Sequence, residues 1–183
     1  GMVALVRPLV DAGILPADLK VSVFAVSGYS GGGRSMIESY EGGTAPVFDL
    51  YGLNLAHKHI PEMHAYGKLA ARPIFVPTVG NFRQGMLVSV PLFLDTLKGG
   101  VGEIRAALQA HYQGSALVSV VEAKEMRLDP TALNGTDRME LRVYANEANG
   151  QVLLVARLDN LGKGASGAAV QNLRLMLGLP PVA

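Results

Sequence analysis

Apolar and polar positions change period along the chain, and the changes outline its elements. Residues 2–12 (MVALVRPLVDA) have helical spacing and stop at Gly13. Pro8 lies inside that stretch, where a helix tolerates it only in the first turn or at a kink. Residues 20–26 alternate and are β-branched, which predicts a strand. A glycine-rich turn over 27–33 leads into a short helix over 34–40, and 47–55 reads as extended. Residues 61–71 open with Pro-Glu, as helix first turns do. Two strands follow at 73–79 and 86–94, the second almost wholly apolar and therefore buried. A helix over 102–112 carries Ile104, Leu108 and Tyr112 on one face, and 116–121 is a strand. After a polar loop at 129–137, Met139–Asn146 and Gln151–Leu158 alternate as the arms of a hairpin. A closing helix over 163–177 offers Val170, Leu173 and Leu177 as a buried stripe and ends at Gly178 and Pro180-Pro181.

About six strands and four or five helices result, with the strands bunched in the middle and later part. That pattern predicts an α+β fold with a mixed or antiparallel sheet and helices on one face. Strand and helix alternate too irregularly for a doubly wound nucleotide domain, and its glycine fingerprint is missing. The 183 residues suit one domain, and 49% apolar residues suffice for a core. Sixteen basic and fifteen acidic residues are mixed along the chain without a basic stripe, which argues against nucleic acid as a partner. No apolar run approaches the roughly 18 residues that a membrane span needs. The opening GMVALVRPLV lacks a basic leader and a cleavage site, so no signal peptide is expected, and Gly1-Met2 reads as a tag remnant or an engineered start. With no cysteine, disulfides and thiolate metal sites are excluded, a cytoplasmic address is the default, and no thiol nucleophile comes from this chain.

Three segments carry candidate chemistry. Gly28-Tyr-Ser-Gly-Gly-Gly-Arg-Ser35 lies between a strand and a helix, where converging backbone N–H groups can hold an anion. It misses a P-loop by one residue, Arg34 standing where lysine belongs, and fails the dinucleotide fingerprint at Met36. A ligand-free turn is the plain alternative. In His57-Lys-His-Ile-Pro-Glu62, alternate residues of an extended segment share a face, so His57 and His59 can act together. Acid/base work, histidines bonded to backbone at a helix start, and a metal shared with Glu62 are the open readings. His111 is incidental. In the closing segment, Asn160 and Lys163 sit at a turn where side chains reach a ligand, and Ala165 to Ala169 are small enough for close approach of another element.

Taken in order, these motifs resemble one family. Ser27-Gly-Tyr-Ser-Gly-Gly-Gly-Arg34, Tyr51-Gly-Leu-Asn-Leu-Ala-His-Lys-His-Ile-Pro-Glu62, Phe75-Val-Pro-Thr-Val-Gly-Asn-Phe-Arg-Gln-Gly85 and Leu158-Asp-Asn-Leu-Gly-Lys-Gly-Ala-Ser-Gly-Ala-Ala-Val-Gln-Asn172 look like the shorter type of N-acetyl-gamma-glutamyl-phosphate reductase. The likeness runs over most of residues 2–178. It implies the C-terminal domain of a fold of the glyceraldehyde-3-phosphate dehydrogenase type, and an amino-terminal Rossmann domain that binds NADP outside this chain. It also implies arginine biosynthesis, a small acyl-phosphate substrate and a homo-oligomer. Residues 1–13 become the helix that follows the catalytic cysteine, leaving the isolated chain inactive. The resemblance assigns His57 as the acid/base that activates the thiol. His59 is its rival for that role and otherwise a substrate contact. Arg83 is assigned to an anionic group of the substrate, Ser30 and Gly31 to the nicotinamide side of the cofactor, and Asn160 to its carboxamide. A non-catalytic assembly domain and an aspartate-semialdehyde-dehydrogenase-like domain are the alternatives.

Overall fold

A computed structural model describes residues 1–180. Seven strands form one mixed sheet in the order β2-β3-β1-β4-β7-β6-β5. They are β1 (Ser22–Gly28), β2 (Phe48–Leu50), β3 (Ile74–Gly80), β4 (Met86–Phe93), β5 (Val118–Val120), β6 (Met139–Asn146) and β7 (Gln151–Leu158). β1 and β3 run parallel, as do β5 and β6, and every other pair is antiparallel. The expected hairpin is β6–β7, closed by Gly150 in the left-handed region.

The period-2 pattern assigns the two faces. Val23, Ala25, Phe75, Val79, Val88, Val90, Leu141, Val143, Leu154 and Ala156 are buried on one face under three helices: α1 (Met2–Asp11), α3 (Ile60–Tyr66) and α4 (Val101–His111). Ile104 and Leu108 are fully buried, as their spacing requires. On the other face Phe24, Phe48, Leu50, Ile74, Phe93 and Leu153 are exposed. Part of that face carries an ion network instead. Arg142 pairs with Glu140 at 2.9 Å and Glu125 at 3.2 Å, and Arg157 pairs with Glu140 at 2.6 Å.

Pro8 sits in the second half of α1 rather than its first turn. A residue there with an N–H would bond the carbonyl four residues back, that of Ala4. The Tyr112 hydroxyl, at the end of α4, donates to Ala4 O at 2.9 Å and so satisfies the acceptor that proline leaves open.

Three expected elements differ. Of the extended stretch 47–55 only Phe48–Leu50 is a strand; Gly52 and Leu55 take positive φ and turn the chain toward α3. α3 ends at Tyr66, short of residue 71. The closing helix is a π-turn over Gly162–Ser166 and then α5 (Gly167–Met176). Its stripe of Val170, Leu173 and Leu177 is exposed, not buried, because no element of the described chain packs over it. The remaining helix, α2 (Arg34–Glu41), packs on the turn Tyr29–Gly32.

Candidate functional site

Strand register brings most of the chemistry-bearing segments to one end of the sheet. Gly28 pairs with Gly80, Ser27 with Met86, and Met86 with Leu158, so the loops after β1, β3 and β7 emerge side by side. The loop after β1 does not hold its first amides open for an anion. Tyr29 N–H donates to Phe82 O and Ser30 N–H to Arg83 O, both near 3.0 Å. Gly28 lies flat on this neighbour: a Cβ there would meet the Arg83 carbonyl at 2.6 Å, so only glycine fits.

β7 delivers Asp159 and Asn160 into the middle of these loops, with Asp159 1% and Asn160 9% exposed. Asp159 accepts from Gln84 Nε2 at 2.6 Å, from the Gly135 amide at 2.8 Å and from the Leu161 amide at 2.8 Å. Burial alone would raise its pKa, but these bonds and one from Gly162 outweigh it and hold the carboxyl below its ordinary value. Asn160 Oδ1 accepts from the Gly85 amide at 2.7 Å, and its Nδ2 donates to Ser30 Oγ at 2.9 Å. Asn160 thus stands where the sequence placed it, with both ends of its amide engaged by protein. Gly31 touches the same group; a Cβ there would lie 3.3 Å from Asn160 Nδ2. The small residues of the last segment face the 136–137 loop, Gly162 against Thr136 O and Gly167 against the Asp137 carboxylate.

His57 lies lower on the same face of the sheet. Its ring packs edge-on to Phe75 at 5.0 Å and tilted against Tyr51 at 5.7 Å, half-buried. Desolvation lowers its pKa, and the nearby His59 and Lys58 add to the effect, so the ring is neutral near pH 7. His57 Nδ1 accepts from the His59 amide at 3.2 Å, which places the proton of the neutral ring on Nε2. The two histidines are not on an extended segment, as expected from their spacing; they sit in a turn that opens α3. Their rings still meet edge to face at 4.9 Å, with His59 exposed. Among the described residues no three His, Cys, Asp or Glu side chains form a metal-holding group. Arg83 is exposed and makes no ion pair among the described residues.

Gly1, which precedes α1, rests on Val88 and Ala156. Ala156 pairs with Val88, Val88 with Ala25, and Ala25 with Pro77, the residue beside His57 and Gly52. The amino end of α1 and His57 therefore stand over one cross-strand row, about two strand spacings or ~10 Å apart. Sequence reasoning missed Asp159 and Gln84. A carboxylate at a strand end before a glycine-rich turn is the signal that finds the first.

Residues 1–160 match the family described as semialdehyde dehydrogenase, dimerisation domain. The chain belongs to that family. It is 52% identical over 97% of its length to N-acetyl-gamma-glutamyl-phosphate reductase 2 of Pseudomonas putida, and 54% identical over 97% to the N-acetyl-gamma-glutamyl-phosphate reductase of Brucella ovis. Both relatives bear out the resemblance read from the motifs. The chain spans 60% and 61% of their lengths. Solved aspartate semialdehyde dehydrogenases share the fold: that of Vibrio cholerae (type II) superposes with TM-score 0.69 at 16% identity, over 96% of this chain and 59% of the other. The Francisella tularensis protein gives 0.69 at 12% identity, over 96% and 61%.

Proposed function

We propose that the chain is the substrate-binding and self-association part of an NADP-dependent reductase that converts N-acetyl-gamma-glutamyl phosphate to the semialdehyde. The identity of more than half to two such reductases, across 97% of the chain, carries the reading. Cysteine chemistry then requires a thiol contributed by sequence upstream of α1, which the row shared by Gly1 and His57 makes sterically reasonable. The thiolate attacks the acyl carbon, the carbon–oxygen bond to phosphate breaks, and phosphate leaves. NADPH supplies the hydride that turns the resulting thioester into semialdehyde.

His57 is the acid/base of this reading. A free thiol is only a few per cent thiolate at neutral pH, so a neutral imidazole within reach raises its reactivity. To take a proton at Nε2 the ring must move its own proton to Nδ1 and give up the His59 amide, a cost of about 0.5–1.5 kcal/mol. The imidazolium then protonates the oxyanion left by hydride addition; when that proton returns to His57 the carbon–sulfur bond breaks, freeing the semialdehyde and the thiolate, which takes the proton back. His59, exposed beside it, suits substrate contact. Arg83, unpaired among the described residues, suits an anionic group of the substrate through charge-assisted bonds. The cofactor fits the far end of the site: the Ser30 hydroxyl proton has no acceptor among the described residues, and Gly31 is exposed.

The test is steady-state kinetics with the chain carried in a polypeptide of its relatives' full length. His57→Asn lowers kcat by roughly 10²–10⁴ with a modest change in KM, and slows thiol alkylation near neutral pH. His59→Asn acts mainly on KM. Loss of turnover in His59→Asn with His57→Asn near wild type reverses the assignment.

A further inference from the structure

The sheet face opposite the helices is only partly open. Residues 121–138, which join β5 to β6, contain no helix or strand, and two arginines pin them across that face. Arg142 Nε and Nη2 meet the two carboxylate oxygens of Glu125 at 3.3 and 3.2 Å, and Arg157 Nη1 reaches Asp129 O at 3.5 Å. Glu140 bonds both guanidinium groups, so each stays paired beneath the loop. Burial follows the cover. Arg142, Val155, Ser89 and Phe24 form one cross-strand row. Arg142 is 3% exposed and Val155 5%, but Phe24 is 44% exposed. Phe24 lies three strand spacings or ~14 Å from Arg142. The loop is therefore a ridge along one side of the face. Beside it runs an open trough of about 600 Å³, floored by Phe24, Val26, Leu87 and Leu153 and walled by Met126 and Leu128.

Met126 stands on the ridge, directly after Glu125. It is 93% exposed, more than any other large apolar residue of the described chain. The ion pair before it fixes the backbone that carries it, so little order remains to be imposed when a partner arrives. Its unbranched side chain adapts to an irregular hollow. Glu122, Lys124, Glu125 and Arg127 leave the ridge without net charge, so two ridges do not repel each other. Ridge and trough lie side by side on one face, which makes the face self-complementary. With a two-fold axis parallel to the strands, the ridge of each copy stands over the trough of the other. The family's description by dimerisation names a second copy as the occupant. Taking the self-association of the reading above as given, we propose that Met126 is its anchor: held out by the Glu125–Arg142 pair, it enters the trough of a second copy and packs on Phe24 there, and the second copy does the same in return.

Sedimentation velocity of the chain over a range of concentrations tests the anchor. Met126→Lys raises the dissociation constant roughly thirtyfold or more, as loss of a central apolar contact does. Met126→Leu associates like the wild type. Glu125→Ala frees the ridge but leaves Met126 in place, and weakens association by a smaller factor. The melting temperature of Met126→Lys stays that of the wild type, because so exposed a side chain supports little of its own copy. The chain has no cysteine, so single introduced thiols report contacts between copies. On oxidation, a mixture of Met126→Cys and Phe24→Cys chains forms a disulfide between the two, and Met126→Cys alone does not link to itself. A self-link in Met126→Cys puts ridge on ridge and overturns the proposal. So does a Met126→Lys variant that associates as tightly as the wild type; self-association then stands without this anchor. A wild type that stays a monomer at every concentration removes self-association itself, and the anchor with it.

Discussion

His57 shows how far single residues decide this site. Its spacing from Tyr51 marked it in the sequence, but nothing there marked Phe75, which packs on its ring from a strand 18 positions on. The packing desolvates the ring and lowers its pKa, so its titration, followed by the ring proton shifts in NMR, falls below the ordinary 6.5. The sign follows: a depressed folded pKa contributes stability that is present above the unfolded value and lost as pH falls through the folded one. Phe75→Leu should move the His57 midpoint back toward 6.5; a midpoint that does not move would exclude the ring as the source of desolvation. Tyr112 makes a second residue-scale case. Burial pushes its hydroxyl up to about 12, so it stays a donor to Ala4 O throughout the accessible pH range. Tyr112→Phe leaves that carbonyl open next to Pro8 and should cost about 1–3 kcal/mol in denaturant unfolding. Neither pairing was legible in the sequence, because each depends on two elements meeting in space.

At the scale of elements, periodicity identified β1, β3, β4, β6, β7, α1 and α4 within a few residues, since each buries one regular face. It failed where burial does not follow from local pattern. The stretch 47–55 has apolar residues at strand spacing, yet Leu53 and Leu55 are exposed and the chain turns at Gly52 and Leu55. α5 failed in the opposite sense: its stripe has helical period but no partner in the described chain. The two kinds of stripe predict different costs. Leu108→Ala, in the stripe of α4 that is fully buried, should lose about 2–5 kcal/mol of stability. Leu173→Ala, 55% exposed, should change the melting temperature of this chain by little. A large loss at Leu173 would mean that α5 is covered in solution. The Asp159 turn ties the same region to pH. Its carboxyl is held below the ordinary value, so its contribution is complete above about pH 4 and is lost as pH falls through its lowered folded pKa. Asp159→Asn should remove that acid-sensitive component from stability measured against pH.

For the whole molecule, the decisive asymmetry is a sheet with helices on one face only. Phe24, Phe48, Ile74, Phe93 and Leu153 form an apolar surface of the kind that soluble monomers rarely leave open, and the family is described by dimerisation. We expect the chain to self-associate through this face. Phe24→Lys with Phe93→Lys should shift sedimentation velocity toward a smaller species without loss of helix or strand signal; an unchanged species would place the contact elsewhere. The fold class, with its helices on one face, was legible from strand count and hairpin; which apolar residues of the other face stay exposed was not, since their alternation looks like that of any half-buried strand. The ends of the sheet carry a consequence of their own. β2 and β5, the two outermost strands, are three residues each. So short a border offers another chain little backbone to pair with, and short edges are one way proteins avoid growing into ribbons and fibrils. The short rims thus favour contact through the broad surface over edge-to-edge pairing. The same brevity makes the rims a weak point for engineering: lengthening β2 into the 51–55 turn would open a row of unpaired amides and carbonyls to aggregation.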